Sequence, residues 1–433
     1  MTNNKTANLT LIAILAVLCV IETLSFTYFK ILPAFAETNA VVYLLSGIGI
    51  AVLAMVYSFY NHARPTIKEH RYLLPQVALA IAVLIYLGVL YAQFGTHTYP
   101  IFPISYKQGD MLPLIQCACK RFVEFKDVYQ HPINEPGFWP NSYIPYLPAM
   151  WLPFVPAYVL QADIRWTTLV ANLLIYGITF FYIVRLPVKK AAMALPVFTL
   201  LFFLNTRYFT WEDKSYYFAL TQEAAPAFFY FLLFIALMLR KGWLAATALA
   251  LCTLSRYSVV IFVPVYFLFL LIDKDYKAAL RFVGIYLGII VFIFIFPFFL
   301  KRPQYFLEIT QKYQSFEASF WYGRIEGATP NGSLGIAYAI GYNVPMLKLM
   351  KPTMLALVAA FSAAWLGIYY FYKERLVANK EIWLMAGFKM ALLLFYNLIS
   401  MPFSYLFVIP TIISYPLLLA VITKTDFTKN KTA

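Results

Sequence analysis

Between Arg281 and Lys301 the chain carries no charge at all, and residues 282–300 are almost wholly apolar. A bilayer-crossing helix needs roughly 20 mainly apolar residues, and inside hydrocarbon only a helix or a closed barrel satisfies every backbone N–H and C=O. Comparable windows recur near 9–29, 40–60, 77–96, 168–187, 191–208, 222–239, 353–372, 381–399 and 402–423. Of the 433 residues, 62% are hydrophobic and 12% charged. A soluble domain carries about 25% charged residues, so this chain has too little polar surface to face water all round. The pattern predicts an all-α, polytopic transmembrane helical bundle and excludes a disordered chain, a collagen and a disulfide scaffold.

Segment 243–272 serves as one long helix or as two short ones broken at Ser255-Arg256-Tyr257-Ser258. Arg240-Lys241 before it and Lys274, Lys277 and Arg281 after it are basic on both sides, so the positive-inside rule asks the chain to go out and return. Residues 143–160 hold Pro145, Pro148, Pro153 and Pro156, and 333–349 is short and mixed. If both lie as interfacial helices at the outer surface, the loops Arg185-Lys189-Lys190 and Lys373-Arg375-Lys380 fall inside. The expectation is about twelve spans with both termini cytoplasmic, in a cell (inner) membrane. Ala34-Phe35-Ala36 imitates a signal cleavage site, but the run before it is too long for a signal h-region, so it reads as an uncleaved first helix.

This topology leaves three substantial outer segments, 97–167, 205–221 and 301–352, and long loops tend to be functional. It also divides the net charge of +15. The inner side carries 18 basic and 6 acidic residues, the outer side 15 and 12. The excess is therefore mainly an orientation signal, and the outer side is dense in both signs. There is no GxGxxG, no Walker-type loop and no sign of nucleic acid as a partner. Cys19 and Cys252 fall in apolar windows, and Cys117 and Cys119 are too close for an ordinary disulfide and lack a second pair for zinc, so all four read as packing residues.

Asp110 follows the third window closely and is held near the membrane surface; partial burial there makes a carboxylate a general base, while the bland reading is a solvated loop aspartate. Lys126-Asp127-Val128-Tyr129 precedes an aromatic and proline-rich run from Pro136 to Trp151 that contains Tyr146, suited to sugar faces or to the headgroup interface. Arg207, Glu212, Asp213, Lys214 and Glu223 crowd the second outer segment. Glu223, beside Gln222, opens a helix, where capping competes with catalysis. Arg256 sits in apolar surroundings, where a charge faces a site or a partner. Its guanidinium suits a phosphate, and a structural salt bridge to an outer acid fits equally well. Lys389 and Glu22 lie inside apolar windows and raise the same question; Glu22 is expected to pair or to snorkel.

In order along the chain stand Asp110, Asp127-Val128-Tyr129, Tyr146-Leu147-Pro148, Thr221-Gln222-Glu223, Arg256, Asn331-Gly332-Ser333-Leu334 and Met401-Pro402-Phe403-Ser404-Tyr405. This collinear set resembles the GT-C superfamily of membrane glycosyltransferases, most closely the polyprenyl-phosphate-mannose-dependent mannosyltransferases of glycosyltransferase family 87. The similarity covers roughly residues 75–423. It implies a GT-C-like catalytic module there, with 1–74 an added transmembrane hairpin and cytoplasmic loop, and 424–433 a cytoplasmic tail. The family's Gly-Gln-x-Asn pattern keeps only Gln222, Arg256 replaces its lysine, and its final His is absent.

The resemblance implies a hexosyltransferase that moves a mannose-like sugar from a polyprenyl-phosphate donor to a glycan or lipid acceptor, with inversion, at the periplasmic or exterior face. Asp110 is then the base; Arg256, Lys214 and Arg324 meet the donor phosphate; Asp127, Tyr129, Tyr146, Gln222, Glu223, Asn331, Ser333 and Ser404 line the substrates. No cofactor is required by this scheme, and a divalent cation is compatible with it. Two rivals stay open: a transporter or lipid flippase, for which interrupted helices and buried charges are natural, and a polysaccharide polymerase or ligase using a diphosphate-linked donor.

Overall fold

The computed structural model describes residues 3–28, 36–61, 74–105, 110–130, 133, 138, 142–210, 222–309, 311–312, 334–335, 347–398 and 404–425. The long apolar runs are helical. The chain forms α1 (Asn3–Thr27), α2 (Ala36–Tyr60), α3 (Leu74–Ile101), α4 (Met111–Val123), the short α5 (Pro148–Trp151) and α6 (Val155–Val159), α7 (Trp166–Ile183) and α8 (Val188–Thr210). It continues with α9 (Ala224–Met238), α10 (Gly242–Thr253), α11 (Phe262–Ile272), α12 (Tyr276–Ile290), α13 (Leu347–Phe371), α14 (Lys380–Leu398) and α15 (Ser414–Lys424).

Among the described residues seven helices are long and apolar enough to cross a membrane, or eight if the pair Leu355–Phe371 and Lys373–Asn397, bent by 89°, is one span. The protein is thus a polytopic helical membrane protein. Five of the expected twelve fall outside these seven: the windows 353–372 and 381–399 form the bent pair, and α9, α10 and α11 have only 15, 12 and 11 residues. At 1.5 Å per residue they reach about 22, 18 and 16 Å, less than the roughly 30 Å of a typical hydrocarbon core, so length alone does not qualify them as spans. The break expected inside 243–272 is present, since α10 ends at Thr253, α11 begins at Phe262, and only a 3₁₀ turn over Tyr257–Val259 lies between. Residues 148–159 form α5, a 3₁₀ turn and α6, each with proline in its first turn, where the missing N–H costs nothing.

The helical segment Tyr405–Lys424 is 94% buried and serves as the axis, with α1, α2, α7, α8, α9 and α14 packed around it. Segment Tyr276–Ile295 is only 11% buried, so nearly all of its apolar surface points away from the bundle, as a lipid-facing helix does. Between α1, α14 and α15 the two ionisable groups of the bundle interior meet: Lys389 pairs with Glu22, and both are fully buried. Lys389 Nζ also donates to the Pro410 carbonyl at 2.5 Å, and Ser414 Oγ donates to Glu22 Oε2 at 2.6 Å. Gly47 of α2 lies over this pair; a Cβ there would come within 3.0 Å of Glu22 Oε1 and 2.8 Å of the Leu393 side chain. Absence of a side chain therefore lets α2 close the site against water.

Polar bonds divide into two sets at opposite ends of the bundle. In one set Arg240 and Lys424 pair with Glu381, Lys380 and Lys373 pair with Asp273, Lys190 donates to the Thr423 carbonyl at 2.6 Å, and Thr425 donates to the Tyr57 hydroxyl at 3.1 Å. These are the segments that the sequence assigns to the inner side. The Asp273 carboxyl is pushed up by burial, but Lys380, Tyr369 and Lys373 outweigh this and hold it below the usual carboxylate range. In the other set Arg165 donates to the carbonyls of Tyr99 (3.0 Å) and Phe102 (2.6 Å), and Ala149 N–H donates to the Leu254 carbonyl at 3.1 Å. A separate hydrophobic layer covers that end, built from α4, Val128, Tyr129, Ile144, Trp151, Phe154, Tyr305 and their neighbours.

Breaking a buried ion pair by removing one partner costs about 3–5 kcal/mol, because the other charge is stranded. Lys389→Met is accordingly expected to lower the thermal unfolding temperature in detergent sharply, and Glu22→Gln added to it to restore most of the loss. Equal melting of the wild type and Lys389→Met would contradict the pair.

Candidate active site

Asp110, Gln222, Glu223 and Arg256 come from three helix junctions far apart in sequence; Gln222, Glu223 and Arg256 touch one another, and Met111, next to Asp110, touches Gln222. Asp110 is the residue from which α4 starts, and its side chain makes no capping bond to that helix. It keeps access to solvent. Desolvation by the surrounding protein nevertheless pushes its pKa above the usual aspartate value, partly offset by the N–H groups of Asp110 and Met111. The Asp110 charge is also felt by the Tyr143 hydroxyl, whose pKa rises mainly through burial and secondarily through that charge.

The next residue, Met111, accepts a hydrogen bond on its sulfur from Gln222 Nε2 at 3.2 Å. Gln222 is fully buried, and its Nε2 also lies 3.4 Å from Glu223 Oε1. Its Oε1 has no hydrogen-bond partner among the described residues. An unpaired buried carbonyl is costly, so a donor brought by a ligand gains on arrival.

Glu223 precedes α9 and makes no capping bond, which leaves its carboxylate for another partner. That partner is Arg256: Nε donates to Glu223 Oε2 at 3.1 Å, and an Nη pairs with Oε1. Glu223 is 0% exposed and the arginine side chain 17%. Arg256 stands just beyond α10, its N–H bonded to the Cys252 carbonyl at 2.8 Å, and the turn that follows carries Ser258, which bridges Tyr230 (2.9 Å) and Tyr396 (3.0 Å). Of the two readings offered for Arg256, the structure contains the salt bridge to an outer acid. The guanidinium edge away from Glu223 carries no bond among the described residues.

Other expected residues form the wall rather than the centre. Asp127 Oδ1 accepts from Tyr129 N–H at 3.1 Å, and its other oxygen pairs with Arg302. Tyr129 is buried, donates to the Tyr146 carbonyl at 2.8 Å and accepts from Trp151 Nε1 at 3.2 Å. Tyr146 is partly buried against the same layer. Ser404 begins a 3₁₀ turn, Ser404–Phe407. Lys214, Arg324, Asn331 and Ser333 lie outside the described residues; Leu334, next to Ser333, is buried in the main core.

Two contributors were not singled out from sequence. Arg165, 2% exposed, is held by Asp163 through Nε (2.8 Å) and an Nη (2.5 Å), lies over the Tyr99 ring at 4.1 Å, and ties the end of α3 to the start of α7. It anchors the C-terminal end of α3; the Asp163-Ile164-Arg165 triplet at the close of the loop is the signal it left. Tyr143 was visible only as one member of an aromatic run.

Among the described residues no group of three or more His, Cys, Asp and Glu side chains is placed to hold a metal ion, and all four cysteines are free and buried. No protein-family model matches the chain, and no curated protein and no solved structure matches it either.

The Glu223–Arg256 contact is open to a double-mutant cycle. With Glu223→Gln and Arg256→Gln singly and together, unfolding in detergent should give an interaction energy of about 1–3 kcal/mol; additive effects would show that the two side chains do not meet.

Proposed function

We propose that the protein is a membrane glycosyltransferase of GT-C type, which moves a hexose from a polyprenyl-phosphate donor to a glycan or lipid acceptor at the outer end of the bundle. The observation that carries this reading is the bond from Gln222 to Met111, which sets Asp110, a carboxylate of raised pKa, one residue from a cluster holding an unpaired buried amide oxygen and a guanidinium bonded on one edge. A carboxylate is a useful general base when its pKa lies closer to working pH. It takes the proton of an acceptor hydroxyl as that oxygen attacks the anomeric carbon. The bond from that carbon to the phosphate oxygen breaks on the opposite face, so the configuration inverts. Negative charge then grows on the departing polyprenyl phosphate, and a cation aimed there stabilises the transition state more than the ground state. Arg256 fits this role, with Glu223 fixing its orientation, and the Gln222 Oε1 accepts from a sugar hydroxyl. The resemblance described above supports the donor class.

The buried Glu22–Lys389 pair is the observation that favours the rival reading, a transporter, since ionisable pairs inside bundles mark transport paths. Incubation of the purified protein with labelled polyprenyl-phosphate hexose and a membrane extract, followed by mass spectrometry, separates the two: transfer yields a new glycoside. For Asp110→Asn the protein is expected to fold and transfer to fall by at least 10²-fold, within the range general-base catalysis supplies. Because Asp110 must be ionised to act, wild-type kcat/KM should rise with pH through a value above the ordinary aspartate pKa of 3.8. Unchanged turnover in Asp110→Asn removes the assignment.

The finer topology of about twelve crossings with both termini inside is part of this proposal. It is supported by the way each segment read as inner bonds to other inner segments. Phe125, 98% exposed beyond α4, and Lys277 in the first turn of α12 provide the test. On intact cells a membrane-impermeant maleimide should label Phe125→Cys and leave Lys277→Cys unlabelled until permeabilisation. The reverse pattern would invert the orientation.

A further inference from the structure

At the end of the bundle opposite Asp110, a cavity of about 360 Å³ opens between α9, α10, α11, α12 and α14. Four cations line it, Arg240, Lys241, Lys380 and Arg281, against two carboxylates, Asp275 and Glu381. Most of the other charges are accounted for: Arg240 pairs with Glu381, which also holds Lys424; Lys380 is taken by Asp273; Asp275 caps α12 by accepting from Ala278 N–H at 3.1 Å. Lys241 and Arg281 are left. Their side chains are exposed and make no hydrogen bond or ion pair among the described residues.

Two features separate this group from an ordinary basic loop. Positive-inside bias asks for cations near the membrane but does not ask that they converge on a cavity. Helix dipoles do not explain them either: Lys241 stands at the start of α10, the end of a helix where a cation is disfavoured. Arg240 occupies the left-handed conformation, φ 57°, that glycine usually fills at such helix ends. Below the charges the lining is apolar and aromatic, with Tyr266, Phe269 and Phe282, Tyr266 and Phe282 being edge-on at 5.0 Å. The floor continues into the exposed apolar surface of α12, where Leu280 and Leu287 are open.

We infer that this cavity binds the phosphate of an anionic phospholipid, with Lys241 and Arg281 on the headgroup and an acyl chain along Phe282 and the outer face of α12. Phosphate is the shared chemistry of a lipid headgroup and a free anion; the apolar floor is what assigns the lipid. Basic pockets between transmembrane helices on the inner side are suited to such headgroups. The site is far from Asp110, and it stands whether or not the transfer reaction does.

The test uses full-length protein in non-ionic detergent, titrated with phosphatidylglycerol, phosphatidylcholine or inorganic phosphate and read by native mass spectrometry. Wild type should retain one phosphatidylglycerol and not phosphatidylcholine. The variant Lys241→Ala/Arg281→Ala should lose retention at least tenfold, and the charge-keeping Lys241→Arg/Arg281→Lys should recover it; both are changed only at exposed positions. Equal retention of phosphatidylglycerol by the alanine variant overturns the site, as does equal retention of phosphatidylcholine or no lipid retained at all. Binding of inorganic phosphate without phosphatidylglycerol overturns the lipid assignment.

Discussion

The Glu22–Lys389 pair is the contact on which the arrangement of the central helices depends. Lipid gives apolar helices no reason to prefer each other over acyl chains, so association in a membrane rests on close packing and on polar contacts that have no other outlet. Here α1 supplies the carboxylate, α14 the ammonium, and the segment 405–424 both the Pro410 carbonyl and the Ser414 hydroxyl. Rotating any one of these helices strands a charge in hydrocarbon, whereas rotating a helix of leucines strands nothing. Around this fixed point the aromatic contacts follow, including the Tyr43 hydroxyl, which meets Thr411 at 3.0 Å, and Thr23, which meets Tyr415 at 3.2 Å.

With the centre fixed, the two ends are free to differ. One end is closed by ion pairs between loops, a network in which Glu381 and Asp273 each hold two cations. The other is closed by a hydrophobic layer with few charges inside it: Arg165 pairs with Asp163, Arg256 with Glu223 and Arg302 with Asp127, while the buried Arg121 donates to the carbonyls of Val128 and Gln130. Chemistry that needs a perturbed carboxylate is better served by the second kind of surface. A dense ion-pair network holds carboxyls down, as at Asp273, whereas an apolar wall with a single charge at its rim pushes a carboxyl up, as at Asp110.

How much of this was legible depends on whether a feature is set locally. Apolar windows translate into helices because hydrocarbon leaves the backbone no alternative, and the helix break before Arg256 could be read from polar residues flanked by basic loops on both sides. The proline run at 148–159 could be read as non-spanning because proline interrupts helical bonding. Helix length was read less well: the window 222–239 suggested a full span, but α9 starts only after Glu223, whose carboxylate is drawn to Arg256. Partner choice could not be read at all. Glu22 and Lys389 were each visible as charges out of place, yet nothing in a linear sequence says that residues 367 positions apart share a proton-bearing contact. The same holds for Met111 and Gln222, 111 positions apart, whose contact joins the start of α4 to the start of α9.

If the protein acts as proposed, the pairing of Arg256 with Glu223 also bears on how a site for an anionic substrate survives when empty. A lone guanidinium in an apolar wall is expensive, and a site that kept one waiting for phosphate would destabilise the free protein. A carboxylate on one edge of the guanidinium removes most of that cost and fixes the plane of the group, so the second edge is already aimed when a phosphate arrives. Neutralising the cation beforehand weakens ground-state binding of the anion. It leaves the response to newly formed negative charge intact, since that response depends on the position of the dipoles rather than on their net charge. For a reaction that converts a phosphodiester into a phosphate bearing an additional charge, such a pair favours the departing state over the arriving one, which is the direction in which catalysis needs the difference to fall.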